Sequence, residues 1–203
     1  MNKFEHRSRD SYNKKADDYE NTADGRFTVK FKQALVSLID VSNETVLLDI
    51  ACGNGRLLNN FSKKATIKGL GIDISEKMIE QAKMLNPDME FQLGSCEKLP
   101  FADSYCDIAT VCASFHHFPN VNAFAREASR VVKKGGMLYI AEIYLPSFLR
   151  NICNPFIKFS KAGDVRFYSP NEIVELFERN GFDKTNIIID GNIQIVVLQR
   201  LWT

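Results

Sequence analysis

The sequence predicts a doubly wound α/β fold: a mostly parallel sheet of seven strands, helices on both faces, and an antiparallel hairpin at the C-terminus. Three observations carry that expectation. Short apolar runs alternate with segments of helical period, the pattern of β-α units that build a parallel sheet. The first run, Thr45–Asp49, ends at an acid, crosses the small-residue loop Ala51-Cys52-Gly53-Asn54-Gly55 and opens into Leu57, Leu58 and Phe61. A strand, tight turn and helix N-terminus of this kind is where an α/β protein brings its backbone against a ligand. Near the C-terminus, two strand-like runs flank Asp190-Gly191, the dipeptide of a two-residue hairpin turn.

The elements follow in order. The first 25 residues are polar, with aromatics at Phe4, Tyr12 and Tyr19, and suit one or two short helices. Phe27, Phe31, Ala34, Leu35 and Leu38 recur at helical spacing, so a helix covers roughly 26–40. After the strand Thr45–Asp49, the glycine loop leads a helix to about Lys64. Ile67–Asp73 is a second strand, again ending in an acid. Ser75 caps a helix carrying Met78, Ile79, Ala82 and Leu85, which Asn86-Pro87 stops. Met89–Leu93 and Cys106–Cys112 are the third and fourth strands. Asn120 caps a helix that buries Val121, Phe124, Ala128 and Val131. Lys133-Lys134-Gly135-Gly136 ends it, because cations suit the C-terminal dipole and glycine supplies a left-handed residue. Met137–Ile143 is the fifth strand. Ser169-Pro170-Asn171-Glu172 is a capping box with proline at the first helical position, opening a helix with Ile173, Val174, Leu176 and Phe177 that Asn180-Gly181 closes. Thr185–Ile189 and Ile193–Gln199 form the hairpin and add an antiparallel strand at one sheet edge. Tyr144–Arg166 breaks the rhythm: it is long, aromatic and irregular, with Pro146 and Pro155. It follows the C-terminal end of a strand, so residues 144–168 are expected to form a substrate-side insertion.

Composition narrows the partners. A chain of 203 residues suits one domain with a well-buried core, and 45% apolar with 25% charged residues is ordinary for a globular protein. A formal net charge of +1 argues against a nucleic-acid backbone or an anionic membrane as partner. The five cysteines (Cys52, Cys96, Cys106, Cys112, Cys153) are odd in number and lack C-x-x-C spacing, so no disulfide framework or zinc site is expected and a reducing compartment fits. The polar N-terminus is no signal peptide and no apolar run spans a bilayer. The expected location is cytoplasmic, and the expected state a monomer or homodimer.

Taken together, the motifs resemble those of the class I S-adenosylmethionine-dependent methyltransferases, in particular the small bacterial enzymes grouped with the ubiquinone/menaquinone methyltransferases. Asp49-Ile50-Ala51-Cys52-Gly53-Asn54-Gly55-Arg56 is similar to the family's glycine-rich first motif, with Ala51 in place of its first glycine. Ile72-Asp73-Ile74-Ser75 matches the acidic end of the second strand, and Gly94-Ser95-Cys96-Glu97-Lys98-Leu99-Pro100-Phe101 the third motif. Arg126–Gly136 resembles the helix and turn before the fifth strand, and Tyr12–Tyr19 an N-terminal lid. The resemblance covers nearly the whole chain and implies a Rossmann-like methyltransferase fold, a single domain over residues 1–203 with a helical lid at 1–40, and S-adenosyl-L-methionine as cofactor.

The implied cofactor-binding residues are Tyr19, Asp49, Ala51, Gly53, Gly55, Asp73, Ile74, Ser95, Cys96 and Cys112. Asp49 would take the ammonium end, and Asp73 two hydrogen bonds from the ribose hydroxyls. Gly53 and Gly55 would let the backbone approach the methionine and ribose parts. Leu99 and Phe101 offer apolar surface near the adenine, with Ile74 on its other face. The cofactor has no pyrophosphate, so Leu58 can stand where a dinucleotide motif has its third glycine. Ser95 departs from the pattern: the family usually has an acid there, accepting from the adenine amino group.

Each motif has a competing reading. Gly53, Gly55 and Asp73 also fit a nicotinamide dinucleotide site, which the missing third glycine and the hairpin disfavour. His116 and His117 follow a strand; adjacent strand residues point to opposite faces and rarely share an ion, so no metal is expected. One of the two is a candidate to line the acceptor pocket and to act as base, against a polar edge held by hydrogen bonds. Tyr12, His116, His117, Tyr144 and Arg166 are the candidates for substrate binding. Tyr144, Phe148, Phe156, Phe159 and Tyr168 either wall the acceptor pocket or pack among themselves, and Asp164 and Arg166 either hold substrate or pair with one another. The cysteines near the loops read as small residues rather than nucleophiles. The expected function is methyl transfer to a small-molecule acceptor. The alternatives are a non-catalytic adenosylmethionine- or adenosylhomocysteine-binding module and a protein or nucleic-acid methyltransferase.

Overall fold

A computed structural model describes residues 1–157 and 159–201. The strands are β1 Val46–Ile50, β2 Lys68–Asp73, β3 Glu90–Leu93, β4 Cys106–Cys112, β5 Val132–Ile143, β6 Phe182–Asp190 and β7 Ile193–Arg200. They form one seven-stranded sheet in the order β3-β2-β1-β4-β5-β7-β6. β7 enters between β5 and β6 and runs antiparallel to both, while the pairings among β1 to β5 are parallel. The hairpin therefore supplies both last strands, and its antiparallel member is one place in from the edge. The helices are α1 Lys3–Lys15, α2 Ala23–Leu38, α3 Arg56–Ser62, α4 Glu76–Leu85, α5 Val121–Val131, α6 Ser147–Ile157 and α7 Pro170–Glu178.

Strand alternation divides the core between the two faces of the sheet. Leu47, Ile108, Ala141, Ile195 and Val197 face Phe31 and Leu35 of α2, Leu57 and Phe61 of α3, and Ile79 of α4. Leu48, Ile50, Val111, Leu138, Ile140 and Val196 face Phe124 of α5 and Ile173 and Phe177 of α7. Phe31, Phe61, Phe115, Phe124, Phe177 and Phe182 are fully buried, each contributing about 1.5–3 kcal/mol by leaving water.

The caps are where the sequence puts them. Ser75 accepts from the Met78 amide at 3.2 Å and Asn120 from that of Ala123 at 3.0 Å, and the Ser169/Glu172 box is complete. Two segments differ. α5 stops at Val131 rather than at the glycines, because Val132 is already extended and pairs with Cys106. Gly135, at φ 78, instead forms the irregularity that moves the register from Cys106↔Val132 to Ile108↔Met137. Residues 144–166 are not irregular throughout: α6 occupies eleven of them, with Pro155 inside it. It buries none of its residues and exposes Phe148, Leu149, Ile152 and Phe156. Among the described residues, no helix is long and apolar enough to cross a membrane.

The N-terminal helices lie across the C-terminal edge of the sheet. Asn2 and Glu5 form a capping box at the start of α1. Asn13 fastens α1 to α4, accepting from the Ser75 hydroxyl at 2.6 Å and donating to Glu76 at 2.8 Å. A 3-10 segment, Ala16–Asn21, joins α1 to α2.

Candidate active site

The loop after β1 is held by β2. The Cys52 amide donates to the Ile72 carbonyl at 3.0 Å, and the Gly53 amide to Asp73 Oδ2 at 2.8 Å. The Ser75 amide donates to the other oxygen, Oδ1, at 2.9 Å. Gly53 has φ 52 and a Cβ there would meet nothing within 4 Å, so its backbone borders open space. Gly55 behaves differently: at φ 72 it caps α3, and a Cβ would lie 2.7 Å from Asn86 Nδ2 and 3.1 Å from Phe91. Its bareness serves packing against α4. Ala51, where the family has glycine, carries φ 58, and Ala113 after β4 carries φ 51. Left-handed backbone costs a residue with a Cβ about 1–2 kcal/mol, and both of these residues border the cavity.

That cavity opens at the C-terminal ends of β1, β2 and β4, where the strand order reverses between β1 and β4. Counted out to its open mouth, solvent included, it encloses about 890 Å³. Tyr19, Asp49, Ala51, Gly53, Asp73, Ile74, Ser95, Cys96 and Cys112 all line it, together with Tyr12 and His117. Four expected site residues do not: Gly55, His116, Tyr144 and Arg166. Arg166 turns to Glu172 and lies over the Tyr168 ring, and the Tyr144 amide bonds to the Asn192 carbonyl beside the hairpin turn. Leu99 and Phe101 are core residues rather than an adenine surface. The aromatics of residues 144–168 do not wall the cavity either: Phe148, Phe156 and Phe159 are exposed, and Tyr168 packs on Phe115 at 5.1 Å.

Burial dominates the electrostatics. Asp49 is 2% exposed, accepts from the Thr110 hydroxyl at 2.7 Å, and is pushed up to about 7 by burial. Asp73 is raised by burial against the pull of its backbone donors. The Cys52, Cys96 and Cys112 thiols are all raised by burial, so none is an activated nucleophile. Residues the sequence reading did not assign to the site complete the wall, among them Glu5, Thr28, Lys32 and Asn54. Glu5, 6% exposed, accepts from the Ser95 hydroxyl at 2.6 Å. A carboxylate thus stands beside the position where the family pattern has one, delivered by α1. Glu20 accepts from Asn54 at 2.8 Å and lies 3.4 Å from Lys32.

His116 and His117 sit on a 3-10 turn, Phe115–His117, and not on a strand. Their rings therefore lie on the same side, 4.1 Å between centroids. His116 Nδ1 is 2.8 Å from Glu142 Oε1 of β5, and its amide donates to Oε2 at 3.1 Å. His117 Nε2 is 3.1 Å from the Tyr12 hydroxyl. Asp164 does not pair with Arg166: its Oδ1 lies 3.0 Å from His117 Nδ1 and 3.6 Å from His116 Nε2. Burial lowers His117, helped by His116, whereas at His116 the opposing carboxylates Glu142 and Asp164 outweigh burial and raise it.

A protein-family model described as a methyltransferase domain matches residues 48–140. A demethylmenaquinone methyltransferase of Thermotoga maritima is 31% identical over 176 residues, spanning 76% of this chain and 77% of that protein. The chain belongs to the class I S-adenosylmethionine-dependent methyltransferases. A ubiquinone/menaquinone biosynthesis C-methyltransferase of Rickettsia bellii is 34% identical over 157 residues, 72% of this methyltransferase and 56% of that protein, so the chain spans little more than half of that relative. Among solved structures, the methyltransferase bound to the Trm112 activator of Haloferax volcanii superposes with a TM-score of 0.83 at 18% identity, covering 97% of this chain and 98% of that one.

The methyltransferase cavity suits adenosylmethionine by its own chemistry. Gly53 leaves open space over the loop. Each Asp73 oxygen has one backbone donor and keeps lone-pair capacity for a hydroxyl. Asp49 is a buried acid whose hydroxyl partner leaves its charge uncompensated, as a site for an ammonium requires.

Proposed function

We propose that this methyltransferase acts on a small-molecule acceptor, bound beneath the N-terminal helices beside His117. The observation that carries the reading is the roof. Glu5, Ser8, Tyr12 and Tyr19, all from the first 21 residues, line the same cavity as Asp49 and Asp73. An acceptor must fit under α1, which suits a small molecule better than a folded protein or a duplex. Residues 1–40 then act as the lid of a single domain, and residues 144–168 reach the site at the histidines, through Asp164 beside His117 and the Val165 amide on the His116 carbonyl.

The cofactor supplies the methyl group already activated as a sulfonium. The chain's own work is to bind, align and exclude water. Asp49 pairs with the ammonium, Asp73 with the ribose hydroxyls, and Ile74, Cys96 and the Ser95–Glu5 pair hold the adenine end. Cys112, Ala113 and His117 border the acceptor end, and Tyr12 closes it. The demethylmenaquinone methyltransferase of Thermotoga maritima makes hydroquinones the first acceptors to try. The test is transfer of labelled methyl to hydroquinones and to a fractionated metabolite extract. Labelled small-molecule product is expected. Tight adenosylhomocysteine binding with no product from any fraction would leave a binding module, and label in protein or RNA a macromolecular acceptor.

A further inference from the structure

We propose that His116, His117 and Asp164 bind a divalent first-row transition cation of the zinc type at the acceptor end of the cavity. The site stands on these side chains alone. Its role, holding an acceptor oxygen, rests on the function proposed above.

Three donor atoms converge: one each from His116, His117 and Asp164 lie within 4.8 Å of one another, and Asp164 Oδ1 is 3.6 Å from His116 Nε2 and 3.0 Å from His117 Nδ1. Bonds of about 2.0–2.2 Å in a tetrahedral zinc site set donor-to-donor separations of about 3.3–3.6 Å; the His116 contact, 3.6 Å, falls in that range, and the His117 contact, 3.0 Å, is shorter and would have to open slightly. The expectation that neighbouring histidines rarely share an ion assumed a strand; the 3-10 turn removes that premise.

The outer nitrogens supply a second, independent argument. His116 Nδ1 must donate to the Glu142 carboxylate, which turns a bare Nε2 lone pair toward Asp164 in the neutral ring. On His117 the outer nitrogen is Nε2, held by Tyr12, and Nδ1 is the inner one. Metal-binding histidines characteristically have the far nitrogen fixed by a carboxylate or hydroxyl in this way. His117 Nδ1 is buried and lacks a well-aligned hydrogen bond, with Asp164 Oδ1 at 3.0 Å as its neighbour. An imidazolium at His116 between Glu142 and Asp164 accounts for one ring and leaves that misalignment in place. A divalent cation satisfies all three inner atoms and offsets two carboxylates, one of them 0% exposed.

Two imidazoles and one carboxylate suit zinc, iron(II) or cobalt(II) better than magnesium. Three protein ligands leave a coordination position, and His117 is shared with the cavity wall. An acceptor with a phenol, enol or hydroxyl oxygen could take that position, where the cation would ease loss of its proton.

The test uses the full chain without cofactor or acceptor. Protein dialysed with zinc, then freed of excess, is assayed for metal content, and the cobalt(II) form for visible absorption. About one zinc per chain is expected, with a tetrahedral cobalt band. Asp164→Asn and His117→Gln should each lose at least tenfold in zinc affinity while still binding adenosylhomocysteine. Tyr12→Phe should weaken zinc by about 10–100-fold through the lost outer bond. His6→Ala, at the remaining histidine, should change nothing. Absence of stoichiometric zinc, or zinc retained at full affinity by both Asp164→Asn and His117→Gln, overturns the site. Methyl transfer by zinc-free protein overturns the assigned role and leaves the proposed function intact; zinc binding without any methylated product does the reverse to that function while the site stands.

Discussion

Ser95→Asp restores the acid of the family pattern, yet it should harm this protein. The Ser95 hydroxyl lies 2.6 Å from Glu5 Oε1, and Glu5 is 6% exposed. An aspartate there brings two carboxylates within about 4 Å, where repulsion amounts to about 4 kcal/mol at an effective dielectric of about 20. The lost hydroxyl bond adds about 1.5 kcal/mol. α1 can relieve the clash by lifting, so the cost is capped by what docks it: the Asn13 bonds to Ser75 and Glu76, and the Tyr12–His117 contact. The expected outcome is loss of amide protection across residues 3–15 together with a lower urea midpoint. Both defects should be larger at pH 8 than at pH 5, because in acid one carboxyl keeps its proton and the repulsion vanishes. Adding Glu5→Gln should restore protection at pH 8. A Ser95→Asp protein as stable as its parent at pH 8, with α1 equally protected, would refute the contact and the role given to Glu5.

Three further outcomes follow from the site. Asp73→Asn puts an amide nitrogen against one of the Gly53 and Ser75 donors and removes the charge; adenosylhomocysteine affinity should fall by about 10–100-fold by calorimetry, as for loss of a charged hydrogen bond of about 1.5–3 kcal/mol. Burial holds Asp49 at about 7, with Thr110 and Lys32 acting against it and Asp73 with it. Pairing with an ammonium requires the ionised form, so cofactor affinity should climb with pH and level off above about 7, with Asp49→Asn flattening the profile. Because that folded value lies above the ordinary carboxylate value of 3.8, the free protein's stability should fall as pH rises between them. Ala51→Gly relieves backbone at φ 58 and should raise the melting temperature by about 2–4 °C, the equivalent of about 1 kcal/mol.

The fold was legible because its signals are local. Ser75, Asn120 and Ser169 cap helices through bonds spanning three residues, and the hairpin closes locally, though its two turn residues are Gly191-Asn192, one place on from the expected Asp190-Gly191. The cavity floor was legible for the same reason, since Asp49 and Asp73 end the strands that aim them. What escaped depends on distant partners. Glu5 meets Ser95 across 90 positions; only its capping box with Asn2 marked it, and that signal speaks of a helix start. Thr28 and Lys32 fall outside the apolar stripe of α2 and read as surface until the cavity opens beside them. The relative orientation of the histidines was not legible, because a single 3-10 turn changes which way two neighbours point. Arg166 looked like a site residue by position, and Glu172 takes it.

Glu5, Ser8 and Tyr12 lie at i, i+3 and i+7 on one face of α1, so the helix spans two turns, about 10.5 Å, from Ser95, the proposed adenine end, to His117, the proposed acceptor end. A rigid rod in contact with both ends makes their occupancies interdependent. Whatever seats Glu5 also seats Tyr12, so cofactor and acceptor must raise each other's affinity by one and the same factor.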